Sequence, residues 1–122
     1  MSFSVRMVAL AAVSLSLTAV ILAAMGSHLV DMKGMQGIWH TASSIHLFNA
    51  AALIGLAALL ANLNSRLLLW SAWTIVAGTV VFCGSIYLHV VTGQLVPNVT
   101  PAGGMLMMAG WFMAILAFLR KI

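Results

Sequence analysis

The sequence predicts an all-α polytopic membrane protein, a bundle of four transmembrane helices in a single domain. Of its 122 residues, 64% are hydrophobic and only 5% are charged, whereas about 25% of an ordinary soluble domain is charged. Five basic side chains and one acidic side chain cannot cover the core of a soluble fold of this length. The net charge of +4 comes from too few residues for a nucleic-acid surface, so we expect no nucleic-acid partner.

Four apolar segments are long enough to cross a bilayer. Hydrocarbon about 30 Å thick requires roughly 20 apolar helical residues, and the segments are residues 5–26, 42–62, 67–91 and 102–119. None carries a charge in its middle or alternates as a barrel strand does. The first segment exceeds the roughly 7–15 apolar residues of a signal-peptide core, so we expect it to be retained.

The distribution of charge predicts the orientation. With four spans, both termini and the loop near residues 62–66 lie on one side of the membrane. That side holds Arg6, Arg66, Arg120 and Lys121, whereas the other holds Lys33 beside Asp31. Because basic residues concentrate in cytoplasmic loops, we expect both termini in the cytoplasm, in a bacterial inner membrane or, for a eukaryotic chain, the mitochondrial inner membrane.

Helix ends and interfacial aromatic residues give further expectations. Thr41 is placed to cap the second helix, and Thr100-Pro101 is typical of a helix start. Trp39 suits the outer interface, and Trp70 and Trp73 suit the inner one, with packing between helices as the equal alternative for each.

Small residues at four-residue spacing favour close helix packing, since burial against another helix gains little over burial in lipid. The pairs are Ala12 with Ser16, Ala19 with Ala23, Ala51 with Gly55 and Gly110 with Ala114, and further close-approach positions are Gly78, Gly84 and Gly104.

Polar side chains within the spans are costly and therefore informative. His46, Asn49, Ser85 and His89 fall toward the outer ends of the second and third segments. We expect them to form an outer-leaflet cluster, with Tyr87 nearby but directed elsewhere. The cluster either fixes helix register through hydrogen bonds or binds a ligand.

A metal or haem site is an alternative for the histidines. His28, His40, His46 and His89 all fall on or near the outer side, and imidazole binds zinc, copper and iron. Met25, Met32 and Met35 flank His28, which would favour Cu(I). No recognised ligand spacing is present, so we predict neither a metal nor another cofactor, and we expect bound lipid.

Catalytic patterns are missing from the sequence. It has no paired carboxylates, no Ser-His-Asp set and no phosphate-binding glycine loop. We therefore expect a protein that is not an enzyme.

The second half of the chain resembles a known family. Its motifs are Phe82-Cys83-Gly84-Ser85-Ile86-Tyr87, Gly93, Thr100-Pro101-Ala102-Gly103-Gly104 and Gly110-Trp111, and in the first half Gly26-Ser27-His28 and Thr41-Ala42 fit as well. They resemble the F-S-G-S-L-Y, T-P-x-G-G, G-W, G-A-H and T-A motifs of a small membrane family of unknown function that includes bacterial YgdD and animal transmembrane protein 256.

The chain departs from that family at three positions. Ser44 and Asn49 stand where the resemblance implies an acidic residue and a histidine, and Cys83 replaces a serine. If the acidic residue and the histidine perform chemistry in the family, a structural role becomes the stronger expectation for this chain.

The leading functional hypothesis is a non-catalytic accessory subunit that packs against a larger membrane complex, for example an energy-transducing one. The alternatives are a binder of a metal, haem or small ligand at the outer cluster, and small-solute transport. Expected partners are membrane lipids and other integral membrane subunits.

Overall fold

The computed structural model describes residues 2–28, 32, 34–94 and 97–120. Within these residues the chain forms four α-helices: α1 (Phe3–His28), α2 (Gln36–Leu60), α3 (Arg66–Thr92) and α4 (Val99–Leu119). Each is long and apolar enough to cross a membrane. The predicted fold class of four membrane-spanning helices is therefore confirmed.

The helices run alternately up and down, which gives the bundle two distinct ends. We call one the arginine end, because Arg6, Arg66 and Arg120 lie at the start of α1, the start of α3 and just after α4. We call the other the histidine end, because His28, His40 and His89 lie in the terminal turns of α1, α2 and α3. Lys33, Asp31 and Lys121 lie outside the described residues.

The second helix begins at Gln36 rather than at residue 42, so the prediction that Thr41 caps it is wrong. Met35 precedes the helix and provides no side-chain cap, and the Thr41 hydroxyl donates to the Gly37 carbonyl within the helix (3.0 Å). The extra turn is held by Trp39, which is buried and donates from Nε1 to the Leu22 carbonyl of α1 (3.2 Å). Trp39 therefore packs between helices, which is the second of the two roles expected for it.

The fourth helix also begins earlier than predicted. Asn98, in a left-handed conformation (φ 70°), precedes Val99, so Thr100 is not the cap and Pro101 is the third helical residue. Proline is tolerated there because a first-turn amide has no carbonyl partner within the helix. The Thr100 hydroxyl instead shares a hydrogen bond with Ser85 of α3.

The third helix has well-formed ends. Ser65 Oγ accepts from Leu68 N at its start (3.1 Å), as expected of a serine cap. Gly93 ends it with φ 75°, a left-handed conformation that glycine adopts without steric cost. Trp70, one turn into the helix, is largely exposed at the arginine end.

The helices form a flattened arrangement in which α2 and α3 are central. The α3–α4 contact is the most extensive, followed by α1–α2 and α2–α3, while α1 touches α3 over a small area. Within the described residues, the backbones of α1 and α4 do not approach each other. These two helices therefore form the edges of the bundle and present most of their surface outward.

Glycines set the close approach of α3 and α4. A Cβ at Gly78 would collide with the Met107 backbone, and one at Gly103 would collide with the Phe82 backbone. A Cβ at Gly110 would meet Ile75 and the Ser71 carbonyl. Ser71 Oγ also donates to the Gly110 carbonyl across this contact (2.7 Å), so the two helices meet backbone to backbone.

The small-residue expectations hold at some positions and fail at others. Ala12, Ala19, Gly78, Gly110 and Ala114 are buried at helix contacts. A Cβ at Gly55 or Gly84 would meet nothing within 4 Å, so neither glycine is a close-approach point here. Apolar spans rich in alanine produce such pairs by chance, and spacing alone cannot indicate which face is inside.

We predict that Gly103→Ala destabilises the bundle, since the added methyl group must push Phe82 and hence α3 away. The expected loss is about 1–3 kcal/mol, measured by thermal or denaturant unfolding in a mild detergent. Gly104→Ala is the matched control, because a Cβ there meets Phe82 only at an ordinary distance of 3.6 Å. Equal stability of the two variants would contradict the proposed α3–α4 contact.

Candidate functional site

A buried histidine connects three helices near the centre of the bundle. His46 on α2 is 4% exposed, and its Nδ1 lies 3.0 Å from the Tyr87 hydroxyl of α3. Its Nε2 lies 3.2 Å from the Thr18 hydroxyl of α1. The expectation that Tyr87 is directed elsewhere is therefore wrong, because Tyr87 packs against Trp39 (ring centroids 4.8 Å apart) with its hydroxyl facing His46.

The available protons indicate the tautomer of His46. Thr18 Oγ1 lies 3.0 Å from the Leu15 carbonyl and 3.1 Å from the Ser14 carbonyl. A hydroxyl has one proton, so when Thr18 donates to its own helix it accepts from His46. That arrangement corresponds to a proton on Nε2, and Nδ1 then accepts from Tyr87.

Asn49, one turn along α2, connects α2 to both α3 and α4. Its Nδ2 donates to Thr79 Oγ1 of α3 (2.9 Å) and to Met107 Sδ of α4 (3.0 Å). Its Oδ1 accepts from Trp111 Nε1 of α4 (3.2 Å). Thr79 in turn donates to the Ile75 carbonyl (2.7 Å). Both amide protons of Asn49 are thus used, and the side chain is 2% exposed.

The depth of these groups differs from the prediction. Because α2 begins at Gln36, His46 lies about 15 Å along the helix, and Asn49 lies close to the middle of Gln36–Leu60. Both therefore lie deeper along α2 than a helix that begins at residue 42 would place them. The error follows directly from the misplaced start of α2.

Ser85 and His89 do not join His46 and Asn49. Ser85 Oγ bonds Thr100 of α4 and its own helix at the Phe82 carbonyl (2.9 Å). His89 lies one turn further toward the histidine end, and its buried Nδ1 has no hydrogen-bond partner among the described residues. The four predicted residues thus do not form one cluster. His46 and Asn49 lie on α2 and contact Tyr87 and Thr79 of α3, whereas Ser85 of α3 contacts α4.

The histidines are dispersed as well. His28 and His40 are exposed at the histidine end, whereas both ring nitrogens of His46 are occupied. Among the residues with described positions, no three His, Cys, Asp or Glu side chains are close enough to hold a metal ion. Cys83 is buried and directs its thiol at the Ala42 carbonyl (3.4 Å).

One buried hydroxyl has no partner. Ser43 Oγ, in a side chain 7% exposed, forms no hydrogen bond with the described residues. Tyr87 is its polar neighbour on α3, but the geometry of the pair is not that of a hydrogen bond. Ser43 lines a cavity of about 390 Å³ at the histidine end, together with Ser27, Gln36, Trp39 and His40. Sequence reasoning missed Ser43, since serine in a helix usually bonds its own backbone.

These contacts define a small integral membrane protein whose interior is held together by hydrogen bonds between helices. The chain belongs to the family described as "Protein of unknown function (DUF423)", whose model matches residues 22–104. The resemblance to the bacterial family is therefore confirmed.

The similar proteins are membrane proteins by name. The UPF0382 membrane protein YwdK of Bacillus subtilis is 31% identical over 117 residues, which cover 88% of this chain and 91% of YwdK. The UPF0382 inner membrane protein YgdD of Escherichia coli is 31% identical over 105 residues, covering 83% and 80% of the two chains. A UPF0382 membrane protein of Staphylococcus aureus is 31% identical over 103 residues, covering 77% and 84%. No solved structure matches the chain.

The family motifs coincide with helix contacts. Gly26 lies against the Trp39 indole, and Gly103 lies against Phe82. Ser85 bonds Thr100, and Trp111 bonds Asn49. His28, Thr41 and Ser44 are exposed. Ser44, which stands where the resemblance implies an acidic residue, therefore faces outward. The motif residues with described contacts therefore serve mainly to assemble the bundle.

We predict an energetic coupling between Asn49 and Trp111 in a double-mutant cycle of Asn49→Leu and Trp111→Phe. Each single change leaves a buried polar partner unpaired, so the double variant should lose less stability than the sum of the single losses. We expect a coupling of about 0.6–1.7 kcal/mol from unfolding in detergent. A control cycle of Asn49→Leu with Ser85→Ala shares no partner and should be additive. Additivity in both cycles would refute the hydrogen bond.

Proposed function

We propose that the chain is a non-catalytic accessory subunit of the inner membrane that packs against a larger membrane complex through the outer face of α4. The observation that carries the proposal is the contrast between an interior in which most polar side chains bond one another and an edge helix, α4, whose outer face has no neighbour among the described residues. Polar side chains of the interior bond one another, which leaves them little capacity to act on a substrate. The name of YgdD, an inner membrane protein, supports this location.

The outer face of α4 differs in chemistry from that of α1. It is rich in methionine and aromatic side chains, and its most exposed members are Met105, Met108, Phe112, Ile115 and Leu119. Exposed large side chains of α1 are mainly leucine, valine and isoleucine, which suit lipid. Methionine and aromatic residues are enriched in protein interfaces, and methionine adapts to irregular partners.

An aromatic patch extends this face onto α2. Phe48 is 63% exposed, and its ring centroid lies 6.0 Å from that of Trp111. Phe112 follows Trp111 on α4 and is 59% exposed. A partner helix in contact with α4 would therefore meet Phe48 as well, and such a helix would cover two elements of the bundle at once.

The orientation with both termini in the cytoplasm is part of the proposal. Arg6, Arg66 and Arg120 all lie at the arginine end, and the described residues of the histidine end include no lysine or arginine. This asymmetry supports a cytoplasmic arginine end under the positive-inside rule.

Site-specific photo-crosslinking in intact membranes tests the accessory role. We expect a photoreactive residue at Met108 to crosslink another integral membrane protein, and one at Leu17 of α1, which is comparably exposed, to crosslink lipid. Phe112→Ala should reduce both the crosslink at Met108 and the co-purification of the crosslinked protein, without lowering the stability of the chain. Mass spectrometry of the crosslinked protein then shows whether that protein belongs to an energy-transducing complex. Lipid crosslinks alone at both positions, with the chain isolated as a lone monomer, would refute the proposal.

A second candidate function is supported by Ser43: the binding of a small uncharged ligand at the histidine end. The described lining of that cavity includes no acidic, lysine or arginine side chain and offers hydroxyl, amide and imidazole groups. A buried unpaired hydroxyl is costly unless something pairs with it. The separation of the histidines favours this ligand class over a metal or haem. Small-solute transport remains a weaker proposal, because interior polar groups that bond one another do not line a hydrated path.

Native mass spectrometry of the gently purified chain tests the second candidate, with elemental analysis and a visible spectrum to detect metal or haem. We expect a co-purifying small molecule that is lost in Ser43→Ala and kept in Ser44→Ala, since Ser44 is exposed. An empty wild-type protein would contradict the proposal. In that case Ser43→Ala should be neutral or stabilising, because it removes only an unpaired hydroxyl.

A further inference from the structure

The arginine end carries a groove that changes from polar to apolar along its length. Arg66 and Arg120 line a cavity of about 330 Å³ together with Asn64. A second cavity of about 570 Å³ shares Asn64 and Arg66 with the first and extends to Ser4 and Trp70. The two cavities therefore adjoin at the start of α3.

A third cavity continues the groove along the bundle. It has a volume of about 450 Å³, shares Ser4 and Trp70 with the second, and adds Phe3, Met7 and Trp73. The walls thus change from two guanidinium groups at one end to aromatic and thioether side chains at the other. The polar end of the groove lies between the start of α3 and the end of α4. Its apolar part lies between α1 and α3, which contact each other over only a small area.

The charge of the groove has no acidic side chain to balance it. The sequence contains one acidic residue, Asp31, and the described residues that line the three cavities include no carboxylate side chain. Guanidinium groups bind phosphate oxygens through paired hydrogen bonds. The polar end of the groove is therefore complementary to a phosphate monoanion.

The depth of the groove matches that of a phospholipid. Arg66 begins α3, Trp70 lies one turn later, and Trp73 lies about 10 Å from Arg66 along the axis. Tryptophan concentrates at the level of the lipid headgroups, so Trp70 marks that level and Trp73 lies near the upper acyl chains. A phosphate at Arg66 would place its acyl chains against Phe3, Met7 and Trp73.

We propose that this groove is a binding site for one anionic phospholipid, with the headgroup phosphate held by Arg66 and Arg120 and an acyl chain lying along Phe3, Met7 and Trp73. The lipid would fill the shallow α1–α3 contact at this end of the bundle. The site is independent of the proposed accessory function, because lipid binding requires no partner protein.

Native mass spectrometry of the purified full chain, incubated with mixtures of phosphatidylglycerol and phosphatidylcholine of identical acyl chains, measures the preference directly. We expect the wild-type chain to retain phosphatidylglycerol preferentially and Arg66→Gln to reduce that preference roughly fivefold. Arg6→Gln is the matched control, since Arg6 is exposed at the same end but outside the lining of the three cavities. It removes the same charge and should leave the preference almost unchanged.

A further variant and a competition experiment distinguish a lipid from other anions. Met7→Trp fills the apolar part of the groove without changing the charge, and we expect it to weaken lipid retention while inorganic phosphate competes poorly in every variant. A wild-type chain without preference, or equal losses in Arg66→Gln and Arg6→Gln, would overturn the proposal. Effective competition by inorganic phosphate would identify a phosphate-ion site instead. The wild-type comparison and Arg6→Gln remain informative if another variant fails to fold.

Discussion

The hydrogen bonds of Asn49 are the interaction on which the rest of the bundle depends. Its amide lies near the middle of a helix that crosses hydrocarbon, where no water can satisfy an unpaired donor. The structure supplies a hydroxyl from α3 and both a sulfur and an indole N–H from α4. The described backbones of α2 and α4 do not approach each other, so the two helices meet through side chains, and Asn49 provides the hydrogen bonds between them. One side chain thus specifies the arrangement of three helices.

The glycines of α3 and α4 make that arrangement possible. Asn49 reaches Met107 and Trp111 only because α4 lies directly against α3, and that approach requires no side chain at Gly78 or Gly103. The polar and the steric contributions therefore depend on each other. A larger residue at Gly103 would move α4 and lengthen the hydrogen bonds of Asn49, even though it touches none of those atoms. This is why a single methyl group there should have a measurable effect.

Composition and segment length predicted the fold class correctly, because hydrocarbon requires each apolar segment to satisfy its own amides. They could not predict where α2 begins. The turn from Gln36 to His40 is stabilised by Trp39 reaching a carbonyl of α1, a long-range contact that no local pattern reveals. Because this contact sets the start of α2, it also sets how far along the helix His46 and Asn49 lie. Predicting that start six residues too late placed both side chains too close to the outer end of the helix. Periodicity placed His46 and Asn49 on one face correctly, but it could not identify Tyr87, Thr79 or Trp111 as their partners.

The family resemblance carries information about architecture, since several of the motif residues lie where helices touch. Gly103 faces Phe82, Ser85 faces Thr100 and Trp111 faces Asn49, and each pair joins two different helices. A relative that has these residues can form the same contacts between α4 and its neighbours, independently of its activity. Differences in activity between such proteins would then reside in residues outside these contacts. In this chain those are the cavity at the histidine end, where the Ser43 hydroxyl has no partner among the described residues, the exposed face of α4 and the arginine end.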